Sequence, residues 1–438
     1  MKKLLLILGL CMAASPSFYA QRSAVRTASA ALNKNAIFEA LDAIKPALTH
    51  EETKNEPDAW KIAGDIQYKI FKNEFTAEAQ KNITNRGSDE EKMYTALYDM
   101  YRPYIMADSL SQIPDSKGKI KNKHRKDIAK KFEEVHLYYI NAGGLFNGKG
   151  KYTLASRCFE ILWTLPALDM FNEDPKKPLA VSDSIMQLTK FYSVATSIQA
   201  NNNYQRSIDL LNKMIEEGYL ENEAYKPADL YELLANEYLK MNDSTSYVRT
   251  IKTGADLFGD NLYFAPNLIN EYIRASQPDS ALLYIDRAIN NDPSNACDLY
   301  TVKGVLYADK KNFEQSEAAY QGAIEADAGC QKALEGIGVL YMLKAQDIRD
   351  ESEKESDKPK QLALDQQAYL LYQRALPYLE QYSTLLKSSS ETADRDLRDA
   401  LVRLLTAYYN ITTLSKYQMD KSKEIEAIEK ELEKFKDL

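Results

Sequence analysis

Side chains that could perform chemistry are sparse in this sequence of 438 residues. The three histidines, His50, His124 and His136, belong to no H-E-x-x-H motif, and none is near a pair of cysteines, so neither a metal site nor a catalytic triad is predicted. The G-x-S-x-G motif of hydrolases and the G-x-G-x-x-G turn of dinucleotide-binding proteins are both missing. We therefore predict no catalytic, metal-binding or cofactor-binding residues, and a protein that is not an enzyme.

One segment has the spacing of a phosphate-binding loop, because Gly143 is followed after four residues by Gly148 and Lys149. Gly150 stands where such loops carry the Ser or Thr that holds magnesium, and the preceding residues predict a helix rather than a strand. Both departures argue against nucleotide binding. We expect Gly143 to lie at a contact between two helices, and residues 148–150 to form the turn that joins them.

The composition favours a mostly helical protein. Glycine (16) and proline (14) are scarce, 45% of the residues are hydrophobic and 27% are charged. These values exclude a disordered or collagen-like chain and leave few turns to link strands. The formal net charge of −8 argues against nucleic-acid binding, which relies on basic surfaces.

Residues 1–20 are typical of a secretory signal peptide. Lys2 and Lys3 precede an apolar run, Leu4 to Ala14, that is too short to span a bilayer. We predict cleavage after Ala20, with cleavage at the end of the apolar run as the alternative. Lipidation of Cys11 is disfavoured because a large leucine precedes it. No later stretch approaches the ~20 apolar residues of a transmembrane helix. The expected location is periplasmic, or peripheral at the outer membrane.

A helical repeat runs along the chain with a period of about 34 residues, the length of one helix–turn–helix unit. Tyr300, Gly304 and Tyr307 share one face of a helix, with the glycine at its closest contact. A second helix then shows the spacing i, i+4, i+7 at Ser316, Tyr320 and Ala323. Neither short helix can bury its apolar face alone, so successive pairs must stack.

This pattern resembles the tetratricopeptide repeat, whose units carry W-x2-L-G-x2-Y and then a small residue, an apolar residue, Ala and Pro. Seven units match in serial order over most of residues 35–415, at positions that include Trp60, Gly64, Tyr139, Gly143, Phe159, Phe191, Ser207, Tyr231, Tyr247, Leu268, Ala281, Tyr300, Gly304, Leu334 and Gly338. The resemblance implies an all-α fold, a right-handed superhelical solenoid of stacked antiparallel helix pairs.

The match divides the chain into six segments. They are the signal peptide (1–20), N-terminal repeat-like helices (21–80), an irregular helical insertion with a basic segment (81–135), the main repeat array (136–345), a charged insertion (346–365), and C-terminal repeat-like helices that end in a capping or coiled-coil helix (366–438). The last helix has apolar residues at a and d spacing over only about two heptads, which favours capping: Ile425, Ile428, Leu432 and Phe435.

Two of these segments stand out by their charge. The irregular insertion contains eight basic residues in an otherwise acidic chain: Lys117, Lys119, Lys121, Lys123, Arg125, Lys126, Lys130 and Lys131. They could dock an anionic partner or a membrane surface, although a solvated helix face explains them more simply. Residues 347–360 are almost entirely charged or polar, which suits either long exposed helices or a mobile loop.

Cys158, Cys297 and Cys330 remain after the predicted signal peptide. Cys297 and Cys330 are about one repeat apart, which separates their helices by roughly 10 Å. Because a disulfide needs Cα atoms within about 7 Å, we expect small buried residues here rather than a bridge, and the pairing stays open.

In tetratricopeptide repeat proteins, the first helices of successive units line a concave groove that holds a peptide or a helix of a partner. The resemblance assigns ten residues to this groove: Tyr68, Tyr192, Asn236, Tyr263, Asn267, Asn270, Arg274, Thr301, Val305 and Met342. They lack the Lys-Asn-Arg cluster with which chaperone-docking members clamp a C-terminal carboxylate, so that mode of binding is not expected.

The resemblance implies an exported, non-catalytic scaffold that binds a protein or peptide partner in the cell envelope of a Gram-negative bacterium. The alternative is an outer-membrane glycan-binding protein of the starch-binding (SusD-like) type, whose helical scaffold also contains such repeats. Lipidation of Cys11, or aromatic side chains clustered outside the groove, would favour that alternative.

Overall fold

The computed structural model describes residues 17–81, 87–172, 178–219, 226–291, 293–389, 393–414 and 419–436. Helices joined by turns account for their secondary structure, and no strand occurs in these ranges. The chain divides into two compact units, unit 1 (residues 1–230) and unit 2 (residues 231–438). The predicted signal peptide lies outside the described residues except for Ser17–Ala20, which begin the first helix.

The helices of unit 1 are, in chain order, α1 (Ser17–Asn33), α2 (Ile37–Ile44), α3 (Pro57–Ala79), α4 (Glu90–Ser111), α5 (Arg125–Val135), α6 (Tyr138–Gly148), α7 (Tyr152–Thr164), α8 (Asp169–Asn172), α9 (Asp183–Ala200) and α10 (Tyr204–Glu216). The division between the units falls within α11 (Pro227–Lys240). Short 3₁₀ helices follow α2 and α7, at Lys45–Leu48 and Leu165–Ala167.

Unit 2 continues with α12 (Ser244–Leu257), α13 (Phe264–Arg274), α14 (Pro278–Asn291), α15 (Ala296–Asp309), α16 (Phe313–Ala326), α17 (Gln331–Ser352), α18 (Lys358–Ser388), α19 (Asp394–Leu414) and α20 (Ser422–Leu432). Its 3₁₀ helices are Pro293–Asn295 and Glu433–Phe435.

One turn geometry recurs between the two helices of a pair. The N–H groups of Asp243, Gln277 and Asn312 donate to carbonyls five residues earlier, at 3.0, 2.8 and 2.9 Å. The residue before each donor has a positive φ, as expected for a helix that ends in the left-handed conformation. The same bond closes α1 onto α2 and α6 onto α7. The sequence repeat is therefore also a repeat of backbone geometry.

Small residues allow the two helices of a pair to approach closely. A Cβ atom added at Gly143 would lie 2.5 Å from Cζ of Phe159, and one added at Gly304 would lie 2.6 Å from Cε1 of Tyr320. Both glycines are in first helices and both rings are in second helices, and the spacing along the chain is the same in the two pairs. These contacts confirm the predicted all-α fold of stacked antiparallel, tetratricopeptide-like helix pairs.

The predicted insertion at residues 81–135 is only partly irregular. α4 runs antiparallel to α3, since Tyr104 packs on Gly64 at one end and Lys92 pairs with Glu74 at the other. α4 is therefore the second helix of a long pair, and the extra element comprises residues 112–135, which contain a loop and α5. The chain departs from the 34-residue period here because α3 and α4 are both longer than the helices of an ordinary repeat unit.

The predicted charged insertion at residues 346–365 is helical on both sides of a short turn. α17 continues to Ser352 and α18 begins at Lys358, and the Ser352 hydroxyl donates to Asp365 at 2.6 Å. Of the two alternatives for this segment, the structure shows long helices and not a loop. At the end of unit 2, Ile425 and Ile428 of α20 are buried and α20 packs on α19, as a capping helix would.

No helix in the described part of the chain is long and apolar enough to cross a membrane.

Candidate functional site

Direct contacts join the first helices of consecutive pairs in unit 2. Tyr263 directly precedes α13, and its hydroxyl donates to Oδ1 of Asn236 on α11 at 3.0 Å. Nearby, the side chain of Asn261 donates to Glu232 at 2.7 Å. α11 and α13 therefore lie side by side, with polar side chains between them.

A disulfide joins the next two first helices, contrary to the prediction. Cys297 of α15 and Cys330, at the start of α17, are bonded, with Cα atoms 5.9 Å apart. The prediction used the spacing between helix axes, whereas these residues face each other at the ends of their helices. Beside them, Lys332 pairs with Asp298 at 3.2 Å. Cys158 in unit 1 is buried and free.

Eight of the ten predicted groove residues are in unit 2, and their exposure differs. Asn236, Asn270, Arg274 and Val305 are exposed, and Tyr263, Asn267 and Met342 are half-buried. Thr301 is 7% exposed, and its hydroxyl donates to the carbonyl of Cys297 at 2.7 Å. The assignment of Thr301 to an open groove is therefore corrected, because the neighbouring first helix covers it. We call Asn236, Tyr263, Asn267, Asn270, Arg274, Val305 and Met342 the first-helix face.

The first-helix face offers neutral hydrogen-bonding groups at physiological pH. Burial raises the pKa of Tyr263 to about 12, so its hydroxyl stays protonated. The side chain of Asn267 donates to the carbonyl of Tyr263 at 2.7 Å, while the side chain of Asn270 makes no hydrogen bond with a described residue. Arg274 pairs with Glu271 at 2.7 Å, which offsets its charge. The face can therefore form hydrogen bonds with polar groups.

A small apolar cavity of about 260 Å³ opens between the start of α13 and the start of α15. Its apolar wall includes Leu262, Ala265, Pro266 and Leu299, and Leu262 is 61% exposed. The rim is polar and includes Asp298. A cavity of this composition can take an apolar side chain while polar groups hold the backbone next to it.

The other two predicted groove residues are in unit 1 and have different surroundings. The Tyr68 hydroxyl donates to Glu134 at 2.5 Å, and burial raises its pKa, with Glu134 adding to the effect. Tyr192 is 43% exposed, and its ring stacks on Phe159 with 5.5 Å between centroids. The Tyr68 hydroxyl is thus already hydrogen-bonded within unit 1, whereas part of the Tyr192 ring is exposed to solvent.

An ion network that the sequence does not predict joins α3 and α5. Lys61 and Lys131 both pair with Asp65 and with Asp127, over distances of 2.5 to 2.9 Å, and the Tyr104 hydroxyl donates to Asp65 at 2.9 Å. Burial would raise the pKa of Asp127, but the hydrogen bonds from Lys131 and Lys61 lower it to about 2. Lys61 and Asp65 have helical i, i+4 spacing, but nothing in the sequence shows that α5 completes the network.

A cavity of unit 1, of about 1040 Å³, has aromatic walls that the sequence did not predict. Trp60, Tyr98 and Tyr101 line it together with Arg102 and Arg157, which make no ion pair with a described residue. Asp99 lines the same cavity, and loss of contact with water raises its pKa. Aromatic rings beside unpaired polar groups are typical of small-ligand sites.

Half of the eight basic side chains at residues 117–131 pair with acidic residues of the same unit. The Arg125 guanidinium makes two hydrogen bonds to the buried Asp108, at 2.8 and 2.9 Å. Lys123 and His124 both contact Asp58, and Lys131 belongs to the ion network. Four of the eight basic side chains, those of Lys117, Lys119, Lys126 and Lys130, make no ion pair with a described residue.

The histidines and the phosphate-loop spacing have structural roles in unit 1. His50 Nδ1 accepts the N–H of Glu52 at 3.4 Å, and His136 contacts backbone carbonyls. Lys149 is the lysine of the segment with phosphate-loop spacing, and it pairs with Glu91 at 2.6 Å. Among the described residues, no group of histidines, cysteines and carboxylates is arranged to hold a metal ion.

No protein-family model matches the sequence, and no curated protein matches it. Parts of the chain are similar in structure to YrrB, a TPR protein with an unusual peptide-binding site, at 18% identity over 49% of this chain and 97% of YrrB, with a TM-score of 0.30. A TPR repeats protein of Bacteroides fragilis is 16% identical over 62% of this chain and 97% of its own, with a TM-score of 0.28. The APC/C hetero-tetramer Cut9–Hcn1 matches at 11% identity over 94% of this chain and 97% of its own, with a TM-score of 0.24. At TM-scores this low, the likeness says nothing about what the chain binds.

Proposed function

We propose that this chain is an exported, non-catalytic scaffold that binds a protein or peptide partner along the first-helix face of unit 2. The observation that carries the proposal is the direct linkage of α11 to α13 and of α15 to α17. It leaves a row of first helices with Asn236, Asn270 and Val305 exposed.

The chemistry of this face suits a polypeptide. Free amide groups such as that of Asn270 can pair with the N–H and C=O groups of an extended segment, each of which needs a partner once it leaves water. Val305 is 44% exposed, and the apolar cavity beside Leu262 gives room for one side chain. Such a partner would be recognised by hydrogen bonds and one apolar anchor rather than by charge.

The exported setting rests on residues 1–20, whose pattern is that of a signal peptide. A fusion of this segment to a periplasmic reporter such as alkaline phosphatase tests export. Activity of the fusion outside the cytoplasm is expected, and a reporter retained in the cytoplasm would contradict it.

A pull-down from envelope fractions tests the scaffold function. We expect the wild-type chain to recover a defined protein, and a variant with Asn236→Ala, Asn270→Ala and Val305→Ser to lose it. The matched control carries Asn290→Ala, Gln321→Ala and Leu283→Ser, at exposed positions on the second helices α14 and α16 of the same unit. Equal recovery by wild type and face variant would contradict the proposal.

A second candidate function, glycan binding, is supported by the aromatic cavity of unit 1. Rings such as those of Trp60 and Tyr98 can stack on sugar faces, and Arg102 can hydrogen-bond to hydroxyl groups. Titration with maltohexaose, followed by tryptophan fluorescence, tests this candidate because both tryptophans, Trp60 and Trp163, lie in unit 1. Saturable binding that is weakened by Arg102→Gln would support glycan binding. No change in tryptophan fluorescence would contradict it.

A further inference from the structure

A third cavity, in unit 1, concentrates positive charge in an acidic protein. Its volume is about 560 Å³, and it lies between α1, the start of α3, the end of α4 and the loop before α5. Five arginine and lysine side chains line it: Arg22, Arg26, Lys119, Lys121 and Lys123. Three carboxylates share the lining, those of Glu56, Asp58 and Asp115. The lining therefore has an excess of two positive charges (5 − 3), whereas the whole chain carries −8.

The loop that supplies the lysines is held in place by hydrogen bonds. Oδ1 of Asp115 accepts the N–H groups of Lys117 and Lys119 at 2.9 and 3.0 Å, and the N–H of Gly118 donates to the carbonyl of Asp115 at 2.8 Å. These backbone hydrogen bonds lower the pKa of Asp115. Gly118 has a φ of +74°, which completes a tight turn that favours glycine.

The far end of the loop is anchored as firmly. Two guanidinium nitrogens of Arg125 bond to the buried Asp108, and Lys123 donates to Asp58 at 3.0 Å. Burial would raise the pKa of Asp58, but the hydrogen bonds from Lys123 and His124 lower it. The lysines therefore project from a fixed backbone, which lowers the entropic cost of binding a ligand.

Two of the five cations have no acidic partner among the described residues. Arg22 pairs with Glu56 at 3.1 Å, Lys121 lies 3.5 Å from Asp115, and Lys123 bonds to Asp58. That leaves Arg26, one helical turn after Arg22, and Lys119, whose side chain makes no ion pair. An anionic ligand could pair with Arg26 and Lys119 without breaking an existing ion pair.

The same cavity has an apolar part. Val25, Pro57 and Leu110 line it, and Ile113 is 63% exposed at its edge. Inorganic phosphate would leave this surface uncovered. A flat anionic bilayer cannot follow a concave surface and would meet the three carboxylates. A short segment with both acidic and apolar side chains fits the charge and the shape together.

We propose that this cavity, which we call the basic cavity, binds an acidic peptide segment that carries an apolar side chain between Asp or Glu residues. Arg26 and Lys119 receive its carboxylates, and Ile113 contacts the apolar side chain. All residues of the basic cavity belong to unit 1 and none belongs to the first-helix face, so the proposal adds a binding function to that of unit 2.

Fluorescence anisotropy with a labelled acidic peptide, Asp-Glu-Leu-Glu-Phe-Asp-Glu-Leu, tests the proposal on the purified protein. We expect saturable binding that weakens as salt rises, because exposed charges are screened within about 10 Å at 0.1 M ionic strength. A variant with Arg26→Gln and Lys119→Gln should bind the peptide roughly three- to tenfold more weakly, as expected for the loss of two exposed charge contacts.

The controls separate this site from non-specific attraction. The matched variant, Arg395→Gln with Lys354→Gln, removes two exposed cations from unit 2 and should bind like the wild type. The peptide with Asn and Gln in place of Asp and Glu should not bind. Equal weakening in both variants, or no binding of the acidic peptide, would overturn the proposal. Binding of phosphatidylglycerol vesicles without binding of the peptide would also overturn it, in favour of a membrane contact.

Discussion

The hydroxyl group of Tyr263 donates a hydrogen bond to Oδ1 of Asn236, and this bond of 3.0 Å joins the first helices of two consecutive pairs. Because the pKa of Tyr263 is raised to about 12 by burial, the donor keeps its proton throughout the physiological range. Oδ1 of the Asn236 side chain is the acceptor of this bond, so the N–H groups of the same amide can donate to another molecule. The same contact thus links the two helices and orients the amide of Asn236, which we propose contacts the partner.

The close approach of paired helices predicts opposite effects at two adjacent glycines. Gly143→Ala places a Cβ atom 2.5 Å from the Phe159 ring and should destabilise unit 1 by about 1–3 kcal/mol, as overpacking does. Gly144→Ala is the control, because nothing lies within 4 Å of its Cβ position, and it should stabilise the helix by about 0.5–1 kcal/mol. Urea unfolding followed by tryptophan fluorescence measures both, since Trp60 and Trp163 report on unit 1. Equal effects at the two positions would contradict the packing described here.

The disulfide predicts a specific pattern of thiol reactivity. Of the three cysteines after residue 20, none should react with iodoacetamide in the folded, unreduced protein, since burial raises the pKa of the Cys158 thiol. After unfolding without reductant, only Cys158 should be labelled. Peptide mass mapping checks this, and labelled Cys297 or Cys330 would contradict the bridge.

Removal of the disulfide should also destabilise unit 2. The bridge spans 33 residues, and closing a loop of this length in the unfolded chain contributes about 2–4 kcal/mol. Cys297→Ser combined with Cys330→Ser should therefore lower the thermal midpoint of unit 2, measured by circular dichroism. Cys158→Ser in unit 1 is the comparison, and it should leave the thermal midpoint of unit 2 unchanged. An unchanged midpoint in the double variant would show that the bridge does not constrain this unit.

The ion network of unit 1 predicts a loss of stability in acid. The pKa of Asp127 is about 2 in the folded chain against an ordinary value of 3.8, so its carboxylate stabilises the fold above about pH 4. This contribution is lost as the pH falls from about 4 to about 2. Because 49% of the Asp127 side chain is exposed to solvent, we expect only about 1 kcal/mol from it.

Urea unfolding of Asp127→Asn, followed by tryptophan fluorescence, measures that contribution. The variant should be less stable than the wild type at pH 7, and the difference should shrink between about pH 4 and pH 2. Asp209→Asn, on the exposed face of α10, is the control and should change little at any pH. A difference for Asp127→Asn that stays constant down to pH 2 would exclude the network as its source.

The sequence predicted the features that depend on short-range spacing. Gly143 with Phe159, and Gly304 with Tyr320, have the same separation along the chain, and this spacing identified the helix pairs correctly. Features that depend on neighbouring elements were missed. The network of Asp65 joins side chains 66 residues apart, which no local pattern shows.

Two site predictions failed for the same reason. Thr301 has the register of a groove residue, but the helix that follows Cys330 covers it. The disulfide was missed because a helix-to-helix spacing says little about two residues that face each other at helix ends. Burial and pairing between repeats depend on how each pair stacks on the next, which degenerate repeats do not specify.

Photo-crosslinking at single positions in living cells tests the central claim most directly. A photoreactive amino acid replaces Asn270 or Val305 on the first-helix face, and in matched variants it replaces Lys252 or Glu314 on second helices of the same unit. We predict that one partner protein is crosslinked from both first-helix positions and from neither second-helix position. Crosslinks only from Lys252 and Glu314, or equal yields from all four positions, would contradict a partner bound along the first-helix face.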